Sequence, residues 1–364
     1  MLKSQKLFLE LLNEETLDVD YEKMKKLVSK EINMKEVKKL ETLIQALKVG
    51  DNKYKWNDNH KSISVSNNSI KGNFSMRFDN EGLLKNFFII PETPIISDLN
   101  TFEESVKIVN CEYEIQLEDG LNLFKIKSNS MKTPAIASMV KIVVAYCTLK
   151  DVNLGNLKLE SCFKIKNEDI SVLSAGISSQ NIGQEFTVQQ LLSNMMILSD
   201  NTAMDILIKR LGEGKIQKYI SEISENINVV ISLPLSKKIY SKAWMSENLD
   251  NKLIRYNSMT KVVWTKNLDY FIPLDIIRKC LDYLLIQNWL PWDDLNLKNN
   301  IIYKGGSAPG VLSCIWSSRM IGDSNKKLLF SMNRDKAFSL IEELYLFACA
   351  NKLLSHIGLT HLKY

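Results

Sequence analysis

The sequence predicts an α+β chain of two domains: a small helix-plus-meander domain, then a larger one in which an antiparallel sheet is flanked by helices. Three observations carry this expectation. The 364 residues exceed the usual size of one compact core. In the N-terminal quarter the apolar period changes from helical to alternating. In the remainder, strand-like runs stand at both ends of a long helical middle.

The elements follow in order. Leu7, Leu11 and Leu12, then Val37, Leu40, Ile44 and Leu47, recur at helical spacing and predict two or three amphipathic helices. From Tyr54 to Pro91 the period is two, in KSISVS, IKGNFSMRF and LLKNFFII, with Asp79-Asn80-Glu81-Gly82 as the turn between the last two. Pro91 and Pro94 favour extended backbone before them, so an accessory domain over 1–95 and a linker over 96–105 are expected. The second domain, 106–364, opens with two strands around Asp119-Gly120. Next come a helix from Ser138 and further helices to about residue 290. Strands are expected near Ile301–Lys304, Val311–Ser318 and Lys327–Met332, and a terminal helix over Asp335–Ser355.

Composition excludes several functions. The 45% hydrophobic and 24% charged content is ordinary for a globular protein. The net charge of +5 is spread along the chain without a basic run interleaved with aromatics, so nucleic acid is not an expected partner. Glu10 interrupts the apolar run of MLKSQKLFLELLNEETLD and no small-residue cleavage site follows, which reads as an amphipathic helix rather than a signal peptide. No stretch approaches 18 uncharged apolar residues; a cytoplasmic protein with no membrane partner is expected. The six cysteines form no Cys-x-x-Cys pair and are expected as buried reduced thiols, with no metal and no cofactor.

Three short motifs carry chemistry. Ser138 and Lys141 are three apart at the start of SMVKIVVAYCTLK, so on a helix they share a face. A desolvated lysine can lose enough basicity to take the serine proton, and the helix N-terminus places N–H groups where an oxyanion would form. The spacing alone means little, since it recurs at Ser161/Lys164, Ser258/Lys261 and Ser324/Lys327. The second motif, Ser199-Asp200-Asn201, lies between two helical segments, the second ending at Gly212; the triplet would also serve as a plain helix cap. The third, Lys304-Gly305-Gly306-Ser307, puts a cation at a strand end, before glycines that allow close approach and a Ser307 N–H able to donate. The three histidines, His60, His356 and His361, lie away from every motif, so a lysine is the natural base.

In order and in spacing, 61 residues from Ser138 to Ser199 and 103 from Asn201 to Lys304, the set resembles the Ser-x-x-Lys, Ser-Asp-Asn and Lys-Thr-Gly motifs of class A β-lactamases and penicillin-binding proteins. The run GQEFTVQQLLSNMMILSDNTAMDILIKRLG is similar to that family through the second motif. The resemblance implies acylation of Ser138 and proton removal by Lys141. It implies an oxyanion hole from the N–H groups of Ser138 and Ser307, and a proton relay through Ser199. Asn201 would hold Lys141 and a substrate amide, Lys304 would bind a substrate carboxylate, and Asp200 would serve the structure. Lys304, Gly305, Gly306 and Ser307 are thus the substrate-binding residues expected.

Two departures bear on activity. Gly305 replaces the family's Thr or Ser, removing a hydroxyl that helps bind the carboxylate. The family's Glu-x-x-Leu-Asn, whose glutamate activates the deacylating water, is absent from VVISLPLSKKIYSKAWMSENLD, where Glu247 comes too late. The layout resembles clavam-biosynthesis proteins in which a steroid-isomerase-like, cystatin-like domain precedes a β-lactamase-like one, and support or homo-oligomerisation is the role expected of residues 1–95. The function expected is a serine hydrolase or acyl-transfer enzyme acting on a small-molecule ester, amide or lactam in specialised metabolism such as antibiotic biosynthesis. The alternatives are a true β-lactamase and a non-catalytic binding protein that keeps the pocket.

Overall fold

The fold is that of a computed structural model, which describes residues 2–16, 18–58, 61–68, 70–224, 229–244, 257–287, 301–319 and 325–359. Their contacts divide the chain into two compact units. One comprises residues 1–110, 255–261 and 336–356; the other comprises 111–254, 262–335 and 357–364.

The first unit begins with three helices, α1 (Lys3–Asn13), α2 (Tyr21–Leu27) and α3 (Met34–Leu47), followed by the antiparallel meander β1 (Lys53–Asn57), β2 (Ser62–Asn67), β3 (Ile70–Phe78) and β4 (Leu84–Pro91). Alternation along β2 buries Ile63 and Val65, and Phe8 of α1 meets Phe74 and Phe87 at ring separations of 5.6 and 5.0 Å, which closes the core. The 79–82 turn forms as expected, with Gly82 at φ 77° donating to the Asp79 carbonyl. Within the stretch expected as a linker, however, Leu99–Lys107 form helix α4, because Asp98 and Thr101 cap its first turn reciprocally.

The second unit holds the five-stranded antiparallel sheet β6-β5-β11-β10-β9: β5 (Glu112–Asp119), β6 (Asn122–Lys127), β9 (Ile301–Ala308), β10 (Val311–Ser318) and β11 (Lys326–Asn333). A small hairpin, β7 (Cys162–Lys164) with β8 (Glu185–Thr187), is too short to have shown a period in the sequence. Its helices are α5 (Lys141–Asn153), α6 (Val188–Ile197), α7 (Asn201–Leu211), α8 (Glu213–Ser224), α9 (Ser236–Trp244) and α10 (Leu274–Ile286). Helix α5 is buried on nearly every side, from Ile142 to Leu149, and α6, α7, α8 and α10 pack around it.

Helix α11 (Leu340–His356) belongs by its contacts to the first unit, where it packs on β2, β3, β4 and α4. It starts later than expected because Ser339 and Glu342 close its N-terminus: the Glu342 carboxylate accepts the Ser339 N–H at 2.7 Å. Asn67 of β2 donates to the Ser339 hydroxyl at 2.9 Å. None of the six cysteines forms a disulfide; Cys147, Cys280, Cys314 and Cys349 are buried, Cys111 is half-buried, and Cys162 is exposed, against the expectation for that thiol. Among the described residues no helix is long and apolar enough to cross a membrane.

Candidate active site

The nucleophile candidate sits one turn earlier than a simple helix start would put it. Residues Ala137–Val140 form a 3-10 turn, and Lys141 is the first residue of α5. Ala137 holds φ at 44°, a region that side chains avoid unless their surroundings fix it. The fixing group is Asp269, whose carboxylate accepts the Ala137 N–H at 2.9 Å. From the other side, the Ser313 hydroxyl of β10 donates to the Ile136 carbonyl at 2.6 Å.

Strand β9 closes on this turn. A side chain at Gly306 would place its Cβ 2.5 Å from the Ile136 oxygen and 2.7 Å from the Ser138 and Met139 nitrogens, so only glycine permits the approach. The motif does not follow a strand, as expected from sequence; it lies inside one. Gly305 and Gly306 pair with Cys314 and Ser313 of β10, so the ladder continues to Ala308.

Ser138 is half-buried, and its hydroxyl lies 2.8 Å from the Lys141 amine nitrogen. That nitrogen also donates to Asn201 Oδ1 at 2.8 Å, and Asn201 in turn donates to the Val172 carbonyl at 3.2 Å. Lys141 is fully buried; desolvation first, then the neighbouring Lys304 charge, push its pKa well below that of an ordinary lysine. Asp200 and Asp205 oppose this only in part.

Ser199 has φ 56°, and Asp200 caps α7 by accepting the Ala203 N–H at 2.7 Å. The other Asp200 oxygen accepts from the Ser174 hydroxyl and the Gly176 N–H, each at 2.6 Å, and from the Ile177 N–H at 2.9 Å. This carboxylate therefore anchors the loop ahead of the motif. Lys304 reaches over from β9: its nitrogen is 3.0 Å from the Ser199 hydroxyl and 2.9 Å from the Gly305 carbonyl. It is 5% exposed, and burial pushes its pKa down to about 8.

Ser138, Lys141 and Asn201 are thus joined through hydrogen bonds, as are Ser199 and Lys304, with Gly306 against the turn that carries Ser138. Ser307 is exposed on β9, the edge strand of the described sheet. Among the described residues no Asp or Glu side chain hydrogen-bonds to Ser138, Lys141 or Ser199. Glu247, His60 and His361 lie outside the described residues, and His356 ends α11. Sequence reasoning missed Asp269 and Ser313. Only Asp269 left a trace, as a carboxylate in the otherwise apolar run LDYFIP.

Residues 99–253 match the β-lactamase enzyme family, a span that includes Ser138, Lys141 and the Ser199–Asn201 triplet. β-Lactamase VEB-1 of Pseudomonas aeruginosa is 24% identical over 206 residues, covering 52% of this chain and 67% of that protein. A β-lactamase from Chitinophaga pinensis superposes with a TM-score of 0.51 at 15% identity, covering 70% of this chain and 97% of that one. The TLA-3 extended-spectrum β-lactamase gives 0.50 at 14% identity, covering 71% and 98%. Residues 99–253 thus resemble the β-lactamase enzyme family, and the chain shares the fold of these β-lactamases.

Proposed function

We propose that the chain is an acyl-enzyme-forming serine hydrolase acting on a small ester, amide or lactam. The observation that carries this reading is the buried Lys141 amine, 2.8 Å from the Ser138 hydroxyl, with its basicity lowered by burial. Ser138 Oγ attacks the acyl carbonyl while its proton passes to the neutral Lys141 amine. The N–H groups of Ser138 and Ser307 receive the oxyanion. When the tetrahedral adduct collapses, the bond to the leaving group breaks and the leaving atom takes a proton through Ser199, which Lys304 positions at 3.0 Å. Lys304 also meets an anionic substrate group, and Asn201 keeps Lys141 aimed at Ser138.

Esterase or acyl-transfer activity is favoured over rapid β-lactam hydrolysis, because no carboxylate among the described residues reaches Ser138 to activate a deacylating water. The test is intact-protein mass spectrometry with a fluorophosphonate and activated esters. A single adduct on Ser138 that vanishes in Ser138→Ala is expected; labelling that survives this change, or maps to Ser199, would overturn the assignment.

A further inference from the structure

We infer that Tyr240 is a positioning residue of this site: from α9 it holds the Asn201 amide with its oxygen toward Lys141, and so keeps the lysine lone pair for the Ser138 proton. The inference rests on the reading above, since it concerns how the Lys141 base is aimed. Helices α7 and α9 are joined at Asp205, whose carboxylate accepts the Ser236 N–H at 2.7 Å, the Ser236 hydroxyl at 2.9 Å and the Lys237 N–H at 3.1 Å. Asn201 lies one turn before Asp205 on α7, and Tyr240 lies one turn after Ser236 on α9. The second pair meets as the first does: the Asn201 side chain donates a hydrogen bond to the Tyr240 phenol. The ring also packs against Val263 and Leu268, just before Asp269 in the chain.

The amide therefore has its donors and its acceptor assigned. Nδ2 faces the Val172 and Leu173 carbonyls at 3.2 and 3.4 Å and the phenol oxygen, which leaves Oδ1 for the Lys141 amine at 2.8 Å. An amide oxygen can only accept, so it takes an N–H of the lysine and stabilises the ammonium formed when Ser138 gives up its proton. A turned amide would instead donate to the lone pair, in competition with Ser138, and would disfavour that ammonium. Tyr240 acts without adding charge: burial first, then the Asp269 carboxylate, push its pKa up to about 12 against the Asn201 hydrogen bond. The charges that act on Lys141 are Lys304 of β9 and Asp200 and Asp205 of α7, and the titratable groups beside the phenol are Asp269, Asp205 and Tyr270. Tyr240→Phe leaves all of them in place.

The experiment follows acylation by a neutral activated ester against pH in the wild type, Tyr240→Phe, Asn201→Ala and the double variant, with thermal unfolding as the check on folding. Tyr240→Phe is expected to slow acylation about tenfold, the scale of one hydrogen bond, and to move the acid limb of the profile to lower pH by about half a unit or more. Because Tyr240 acts through Asn201, the double variant should be no slower than Asn201→Ala. A role in packing alone would lower the melting temperature and leave the limb in place, so an unmoved limb in Tyr240→Phe would overturn the inference. Losses that multiply in the double variant would overturn it as well. If Tyr240→Phe does not fold, Tyr240→Met replaces it, with the same shift expected and an unmoved limb counting against the inference. Absence of any ester adduct on wild-type Ser138 would instead refute the underlying hydrolase reading, and the inference with it.

Discussion

The carboxylate of Asp269 accepts the backbone N–H of Ala137 at 2.9 Å, immediately before Ser138 in the chain, and holds that residue at positive φ. The same oxygen accepts the Tyr270 N–H at 2.6 Å. Through one buried side chain, the turn that presents the nucleophile is tied to the segment leading into α10.

Burial raises the Asp269 pKa to about 6 against the opposing backbone hydrogen bonds. An unfolded aspartate titrates near 3.9, so between roughly pH 4 and pH 6 the folded chain binds more protons than the unfolded chain. Stability is therefore expected to fall as pH rises through that window and to level off above it. Asp269→Asn keeps an oxygen for both N–H groups and removes the buried charge. It should gain about 1–3 kcal/mol at neutral pH and lose this slope. Urea unfolding across the window checks both; a variant that keeps the slope would assign the titration to another group.

Lys141 and Lys304 should separate kinetically despite their equal formal charge. Lys141→Ala is expected to lower kcat by about 10²–10⁴, the scale of general-base assistance. Lys304→Ala should chiefly raise KM for carboxylate-bearing substrates. Because Lys304 titrates at about 8, its charge is lost as pH rises through that value. KM for an anionic substrate should rise with it, while KM for a neutral ester should not. Parallel KM profiles for the two substrates would contradict this division of roles.

Gly306→Ala is expected to slow acylation by about 10²-fold, because its Cβ cannot fit without displacing the turn that carries Ser138. Circular dichroism and thermal unfolding separate a displaced turn from an unfolded chain. A variant that folds and acylates at the wild-type rate would show that β9 can retreat without consequence.

Acylation and deacylation should also part company. The nucleophile, the lysine and the oxyanion donors serve the first step. No carboxylate among the described residues hydrogen-bonds to Ser138, and without one to deprotonate water the second should be slower by about 10²–10⁴. A burst followed by a long-lived Ser138 adduct is expected with any β-lactam that acylates. Rapid multiple turnover of benzylpenicillin without an adduct would refute this, and its loss in Glu247→Gln would identify the missing base.

Much of this was legible in the sequence, and the exceptions have physical causes. Motif order and spacing, together with the family resemblance, brought Ser138, Lys141, Ser199, Asn201 and Lys304 forward as a group. The 3-10 turn at Ala137–Val140 was not legible, since it depends on Asp269 from far along the chain. Nor was the extension of β9 through Gly305 and Gly306: glycines weaken a strand by propensity, and here cross-strand pairing with β10 overrides that tendency.

Helix α11 packs on β2, β3, β4 and α4, all of which are translated long before it. On the ribosome, the meander must therefore leave the exit tunnel with one face uncovered and wait through synthesis of the whole five-stranded sheet before its last layer arrives. That order exposes apolar strand surface during translation and gives a chaperone a defined interval in which to act. It also means that a chain arrested before residue 340 lacks part of its earliest-made unit, although the candidate catalytic residues have all been made.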